Sequence, residues 1–355
     1  MATVLNVAYP FAPVTTDSVG GAEQVLARLD AALTAAGHRS VVLARAGSVV
    51  SGELVPIEVP EGTLTPALRS RVLATVRAQL EALLAQGGID LVHLHGVDCA
   101  EYLPPASVPR VVTLHLPPEW YPRTLYESRD GPLLICVSKS QRARCPASRA
   151  LVIENGVDLE RWCPLPSAAH GSAVCLGRIC AEKGFDVALT AARAAGVPLV
   201  LAGEVFPYPE HQAYFVREIE PLLDDRRRFV GPVFGKRKHE LLAGACAVLV
   251  PSRVPETSSL VTMEALACGT PAIVSGRGAL ASLVETGRTG FVAEGATAMS
   301  AALGQAQHLD RAECRRHAER RFDGRVMERR YLLLYDRITA APNRGAHPTL
   351  EELGE

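Results

Sequence analysis

PETSSLVTMEALACGTPAIV, residues 255–274, decides how the second half of this chain folds. The apolar run LVTMEALAC opens behind two serines, stops at Gly269 and passes through Thr270-Pro271 into the short stretch AIV. Serine before a helix and glycine after it are ordinary helix punctuation, so the stretch reads as helix, tight turn and strand. CAVLVPS, just upstream, is a strand of its own. Glu256 lies in the loop before the helix and Glu264 lies within it. Two carboxylates bracketing a helix start suit the lining of a cleft better than a solvated face.

Working outward, the same alternation fills the chain. TVLNVAY, RSVVLARAG, IDLVHLHG, RVVTLHL and PLLICVSK read as strands in the first half, with helices at GGAEQVLARLDAALTAAGH and PALRSRVLATVRAQLEALLAQGG. The pattern restarts after VIENGVDLERWCPLP: SAVCLGRI, VPLVLAGE, RRFVGPV, CAVLVPS and TPAIVSG are strands, and FDVALTAARAAG, AYFVREIEPLLDD and HELLAGA are helices. Short, nearly continuous apolar strands between helices indicate mostly parallel sheets covered on both faces. The expected fold class is α/β, as two doubly wound, Rossmann-like domains facing each other across a cleft. The boundaries read as residues 1–160 for the first domain and 161–325 for the second. A C-terminal helix at 326–340 has the length to brace the two or to be an ordinary last helix, and a loose polar tail follows at 341–355.

The whole chain agrees. Its 355 residues suit two domains, and 48% apolar content lets each bury a sizeable core. Lys+Arg total 37 against 38 Asp+Glu, a balance that leaves no broad electrostatic footprint for nucleic acid. The nine cysteines are odd in number, scattered through apolar segments and never spaced as CxxC, which fits buried thiols in a reducing compartment. With neither a signal-like N-terminus nor an apolar run of membrane-spanning length, the reading is cytoplasmic.

Several stretches carry chemistry. In VGGAEQV, Gly20 and Gly21 open a helix where backbone can approach a ligand and free amides can meet anionic oxygens; a plain tight turn explains them as well, and the full GxGxxG pattern is missing. In LGRICAEKGF, Arg178 leaves a strand and Lys183 precedes Gly184 at a helix start, so two cations flank one loop and can neutralise a diphosphate. Glu256 and Glu264 can each accept hydrogen bonds from sugar hydroxyls, with Ser258, Ser259 and Leu260 at the intervening helix start. The combination describes a nucleotide-sugar, with a hexose at one end of a diphosphate and a ribose at the other. His115 in VTLHLPP leaves a first-domain strand towards the proposed cleft. His93 and His95 share a strand face, but no third ligand stands at convincing spacing, so structural or acceptor-side roles are favoured over a metal.

Taken in order, GRICAEKG, AGE, AYFVREIEPLLDD, FVGPV, HELLAGACAVLVPS, PETSSLVTMEALACGTPAIV and ETGRTGFV resemble the retaining glycosyltransferases of family 4, which have the GT-B fold. The resemblance runs over nearly the whole length, and NGVD at 155–158 matches the start of the family's second domain. It implies that Arg178 and Lys183 bind the donor diphosphate, Glu256 the transferred sugar and Glu264 the ribose hydroxyls. It places the Gly20–Gly21 loop over the phosphates and His115 near the reacting sugar. It implies no required metal or cofactor, a UDP-sugar or other nucleoside-diphosphate sugar as donor, and a front-face reaction in which the leaving phosphate helps accept the acceptor proton. One departure stands out: Thr257, Ser258 and Ser259 replace the commoner Pro-Phe-Gly, which points to altered donor recognition.

The acceptor is expected on first-domain loops, where Trp120, Tyr121 and Tyr126 offer ring surface and Asp17, Asp98, Glu101 and Glu119 offer polar contacts. A small polar acceptor (a sugar, cyclitol or aglycone, as in natural-product assembly) is the preferred reading. A lipid-linked or polysaccharide acceptor of the cell envelope is the rival, since Arg69, Arg71 and Arg77 lie among leucines and valines as on peripheral membrane helices. A noncatalytic nucleotide-sugar-binding protein is the third alternative.

Overall fold

The structure, a computed structural model, describes residues 1–62, 64–128, 130–166 and 171–340; the tail at 341–355 lies outside them. The chain divides into two compact units, one of Met1–Glu154 with Val326–Glu355 and the other of Asn155–Arg325.

The first unit is built on seven strands: β1 (Thr3–Val7), β2 (Arg39–Arg45), β3 (Glu53–Ile57), β4 (Leu91–Leu94), β5 (Arg110–Leu114), β6 (Leu133–Cys136) and β7 (Ala150–Val152). They form one sheet in the order β3-β2-β1-β4-β5-β6-β7, every pair parallel. Strands such as LVHL and LLIC are buried at every position, as expected where helices cover both faces.

The second unit repeats the scheme with β8 (Ser172–Leu176), β9 (Leu199–Ala202), β10 (Arg227–Phe229), β11 (Ala245–Val250), β12 (Ala272–Val274) and β13 (Gly290–Val292). Their order is β10-β9-β8-β11-β12-β13, again wholly parallel. Both sheets are therefore Rossmann-like: the chain winds outwards from the centre, then returns and winds the other way. The reversal falls between β1 and β4 in one unit and between β8 and β11 in the other. Helices on both sides diverge there, leaving a crevice beyond the strand carboxyl ends where such folds bind ligands.

Some elements escape the sequence pattern. β3, β7 and β13 are short strands at sheet edges, and the helices Gly295–Ala306 and Arg311–Arg321 follow them late in the chain. The segment AYFVREIEPLLDD, read as one helix, is instead an α-helical turn at Pro209–Tyr214, a π-helical turn at Phe215–Ile219 and a 3-10 turn at Glu220–Leu222. Pro221 has no N–H to continue the ladder, so the helix cannot run through it.

From Val326 onward the C-terminal helix (Gly324–Ala340) packs on the first unit, where Tyr331 and Tyr335 are fully buried, Arg28 bonds Glu328, and His38 approaches Asp336 at 3.7 Å.

At the carboxyl ends of β8 and β9 the backbones nearly touch. Gly203 has φ +151°, and a Cβ there would stand 1.8 Å from the Gly177 carbonyl oxygen. Gly203→Ala should destabilise the second unit by about 2–4 kcal/mol through combined strain and overlap. A lowered thermal midpoint for the transition reporting that unit would confirm it; an unchanged one would mean the two ends can part without cost.

Candidate active site

The loop after β8 is fixed by another close approach. Gly184, in the left-handed region at φ +68°, lies against β11's exit, where a Cβ would be 2.3 Å from the Pro251 carbonyl oxygen. The two loops are also stitched together by hydrogen bonds from the Arg253 amide (2.7 Å) and Ser252 Oγ (3.2 Å) to the Glu182 carbonyl. This junction brings Lys183 to Glu256, Nζ to Oε1 at 2.6 Å, with both side chains only partly exposed. Glu256 is steadied from a third loop: its carbonyl accepts from the Ala279 amide at 2.8 Å, and Gly278 fits against its backbone where a Cβ would be 2.2 Å from that carbonyl. Arg178 is half-buried on the first of these loops. Its charge reaches His211, whose pKa is lowered first by burial and then by Arg178.

Ser259 caps the helix Leu260–Ala267, its Oγ accepting from the Thr262 amide at 3.4 Å and pairing with Thr262 Oγ1 at 2.8 Å. Ser258 Oγ is buried without a hydrogen-bond partner. Glu264 is 1% exposed and meets Lys238 Nζ at 2.8 Å through Oε1 and 2.7 Å through Oε2. The Oε2 contact lacks hydrogen-bond alignment, so that oxygen keeps unused acceptor capacity. Arg178, Lys183, Glu256, Ser258, Ser259, Leu260 and Glu264 thus all belong to the loops and the helix start beyond β8 and β11, the switch point of the second sheet.

In the first unit the carboxyl ends of β4 and β5 carry His95 and His115. His95 Nδ1 and His115 Nε2 are 3.0 Å apart, and the His93 and His95 rings lie 3.9 Å apart by centroid. His93 bonds Tyr335 Oη at 2.6 Å through Nδ1 and Thr113 Oγ1 at 2.8 Å through Nε2. Burial lowers the pKa of all three histidines, that of His115 to about 3, with mutual repulsion adding to the effect at His93 and His95. They are neutral at pH 7, so His115 can donate or accept a hydrogen bond but brings no fixed positive charge.

Gly20 caps the helix Gly21–Ala35 with ordinary φ −81°, and Glu23 of the first turn folds back against it. The remaining acceptor-side candidates separate by burial. Trp120 is 50% exposed, whereas Tyr121 is in the core and Tyr126 is half-buried, bonding the Pro118 carbonyl at 2.7 Å. Asp98 is also buried, accepting from Tyr102 Oη at 2.8 Å, and burial raises its pKa. Arg69 approaches Asp98 at 3.9 Å and Arg77 bonds the Glu101 carbonyl, so two of the three arginines on the helix Pro66–Gln86 serve the unit itself. Among the described residues no helix is long and apolar enough to cross a membrane.

Cys180, Glu182 and His211 bring ligand-type atoms within 4.8 Å of one another. The neighbouring Arg178 charge works against a dication at that spot. Sequence spacing does not reveal this cluster because it joins the segment after β8 to the separate helical turn Pro209–Tyr214.

Residues 19–161 match the profile of Glycosyltransferase Family 4, and residues 170–308 match that of Glycosyl transferases group 1. The chain is a family 4 glycosyltransferase of the GT-B fold. It is 27% identical to a glycogen synthase of Mycobacterium tuberculosis over 81% of either chain. It is 31% identical to a D-inositol 3-phosphate glycosyltransferase of Geodermatophilus obscurus over 57% of this chain and 51% of that one. Among solved structures it resembles AviGT4, a glycosyltransferase involved in avilamycin A biosynthesis, at 27% identity and TM-score 0.70, covering 96% of this chain and 99% of the other. A sucrose-phosphate synthase from Thermosynechococcus elongatus shares the fold at TM-score 0.78 and 20% identity, with 96% and 100% covered.

Two contributors to this glycosyltransferase's candidate site give no clear signal in the sequence. Lys238 sits within HELLAGA's leading basic run, GKRK, and looks like one more surface lysine. Gly278, in GRG, gave only the signal of a glycine after a strand.

The histidine cluster has a pH consequence. Unfolded histidines take up protons near pH 6.5, whereas the folded ones resist until far lower, about 3 for His115. Between those values the unfolded state binds more protons, so stability is fully present above about pH 6.5 and falls as pH drops. Denaturant midpoints should fall from pH 7 to pH 4.5, and His115→Gln should flatten the slope by about one proton, or ~1.4 kcal/mol per pH unit. Equal slopes in the two proteins would contradict the neutral-histidine description.

Proposed function

We propose that this glycosyltransferase moves a hexosyl unit from a nucleoside-diphosphate sugar, a UDP-sugar in the first instance, to a hydroxyl of a small polar acceptor with retention of anomeric configuration. The observation that carries this reading is the grouping of Arg178, the Lys183–Glu256 pair and the buried Glu264 at one sheet's switch point. Cations serve a diphosphate, while two separated carboxylates serve two polyols. Solved complexes of the fold-related HepE with UDP and with UDP-glucose give the donor class precedent in this architecture.

As the glycosidic bond breaks, positive charge builds on the sugar ring and negative charge on the leaving diphosphate. Arg178, Lys183 and the amides at the helix start of Leu260 would stabilise the second. Glu256 would hold hydroxyls of the transferred sugar. His115, neutral, would hydrogen-bond a sugar hydroxyl, with the Gly20–Gly21 loop closing on the phosphates. The leaving phosphate would take the acceptor proton. Ser258, whose buried hydroxyl has no hydrogen-bond partner, would give donor selectivity.

A small acceptor is supported by the inositol-phosphate-glycosylating relative and by AviGT4's place in the assembly of a natural product. Arg69 and Arg77 are engaged within their own unit, which leaves the membrane-surface reading with less support. The free, mostly buried cysteines support a cytoplasmic location.

Calorimetry with a panel of nucleotides and nucleotide-sugars should find micromolar binding of one donor. Lys183→Ala and Glu264→Gln should each weaken it by about 10- to 100-fold, the range for losing a hydrogen bond to a charged group. No binding by folded protein across the panel would sink the reading; binding that both variants preserve would move the site elsewhere.

A further inference from the structure

We propose that Lys238 is a positioning residue for donor recognition, holding Glu264 so that its unused oxygen meets the ribose diol. The inference rests on the reading of Glu264 as the ribose contact. Lys238 comes from the helix Gly235–Ala243, and its ammonium lies between two groups: the Glu264 carboxylate, at 2.7 and 2.8 Å, and the Trp162 ring, 4.8 Å from its centroid. Both members of the ion pair are nearly out of water, with side-chain exposures of 9% and 1%.

Trp162 is itself held. Its carbonyl accepts from Arg315 Nη1 at 2.7 Å, and its ring meets the edge of His239 at 5.9 Å. His239 in turn bonds the Cys163 carbonyl at 2.6 Å. The lysine therefore has a fixed cation–π seat and a fixed carboxylate partner, and cannot swing away as a surface lysine would.

Its effect on Glu264 is directional. Nζ donates to Oε1, and touches Oε2 without the alignment of a hydrogen bond. One oxygen is thus engaged while the other keeps lone pairs for a ligand's hydroxyls. A buried carboxylate without its cation would be strongly destabilising, and would turn towards any other donor within reach. Replacing a buried ion pair by apolar residues of similar volume commonly preserves a fold. The fold alone therefore gives little reason for a pair at this position; a polar ligand gives one.

The test is discrimination between a ribonucleotide and its dideoxy counterpart. UDP, GDP and ADP are titrated calorimetrically, each beside its 2′,3′-dideoxy form, and the base bound most tightly is carried forward. Wild type should prefer the ribose form by about 30-fold, the scale of one hydrogen-bonded carboxylate contact. In Lys238→Met that ratio should fall below about 3-fold, with affinity for the dideoxy form unchanged. Lys238→Arg, which keeps the cation and with it the fold, should retain an intermediate ratio and supplies the answer if the methionine variant does not fold.

A merely structural lysine would weaken both nucleotides equally and leave the ratio intact, which would overturn the proposal. So would a wild type that binds nucleotides without preferring ribose. Failure of wild type to bind any nucleotide is a different result: it would remove the donor reading itself.

Discussion

The Pro251 carbonyl occupies the space that a side chain at position 184 would need, and much of the candidate site in the second unit depends on that one close approach. Only glycine lets the loop after β8 lie on the exit of β11, and Gly184 adopts a left-handed conformation to do so. The contact sets Lys183 beside Glu256, although 73 residues separate them in the chain. A second glycine, Gly278, performs the same service from the far side, and Gly203 from the neighbouring strand. Backbone is packed against backbone at three points, so the charged side chains project from a frame with little freedom to drift. Preorganisation of this kind is what electrostatic stabilisation of a leaving group requires, since dipoles and charges that must rearrange give back much of what they offer.

The charges form two different kinds of pair. Lys183 and Glu256 remain partly in contact with solvent, where exchanging one partner for another costs little. Lys238 and Glu264 are almost wholly buried, where separating them would leave an uncompensated charge in a poorly polarisable interior. The more exposed pair is suited to exchanging partners with a ligand, and the buried pair to keeping the Glu264 carboxylate in one orientation.

How much of this was legible in the sequence depended on whether the signal was local. Strands such as LVHL and LLIC announce themselves because every position is apolar, a consequence of being covered on both faces. The edge strands β3 and β13 are packed less completely, and β7 and β13 are only three residues long, so their signals are weak. Motif order placed Arg178, Lys183, Glu256 and Glu264 on the right loops and helix. It could not place Lys238 under Glu264, because the pairing depends on how two helices lie together. Residue type and loop position suggest Tyr121 and Asp98 as acceptor contacts, yet both are buried, Tyr121 against the core and Asp98 on Tyr102. Nor could spacing show that His95 and His115, twenty residues apart on neighbouring strands, share a hydrogen bond.

The C-terminal helix gives the molecule a particular order of assembly. Asn155–Arg325 is in effect an insertion within the first unit, which opens the chain and receives its closing helix. His93 finds its Tyr335 partner 242 residues later. At ribosomal rates of about 5–20 residues per second, that interval is tens of seconds. During it the first sheet exists with a buried histidine face still uncovered, while the inserted unit has all its own sequence and is free to condense. The unit whose strands come first is therefore the last to be finished, since it waits for Tyr335 to cover His93.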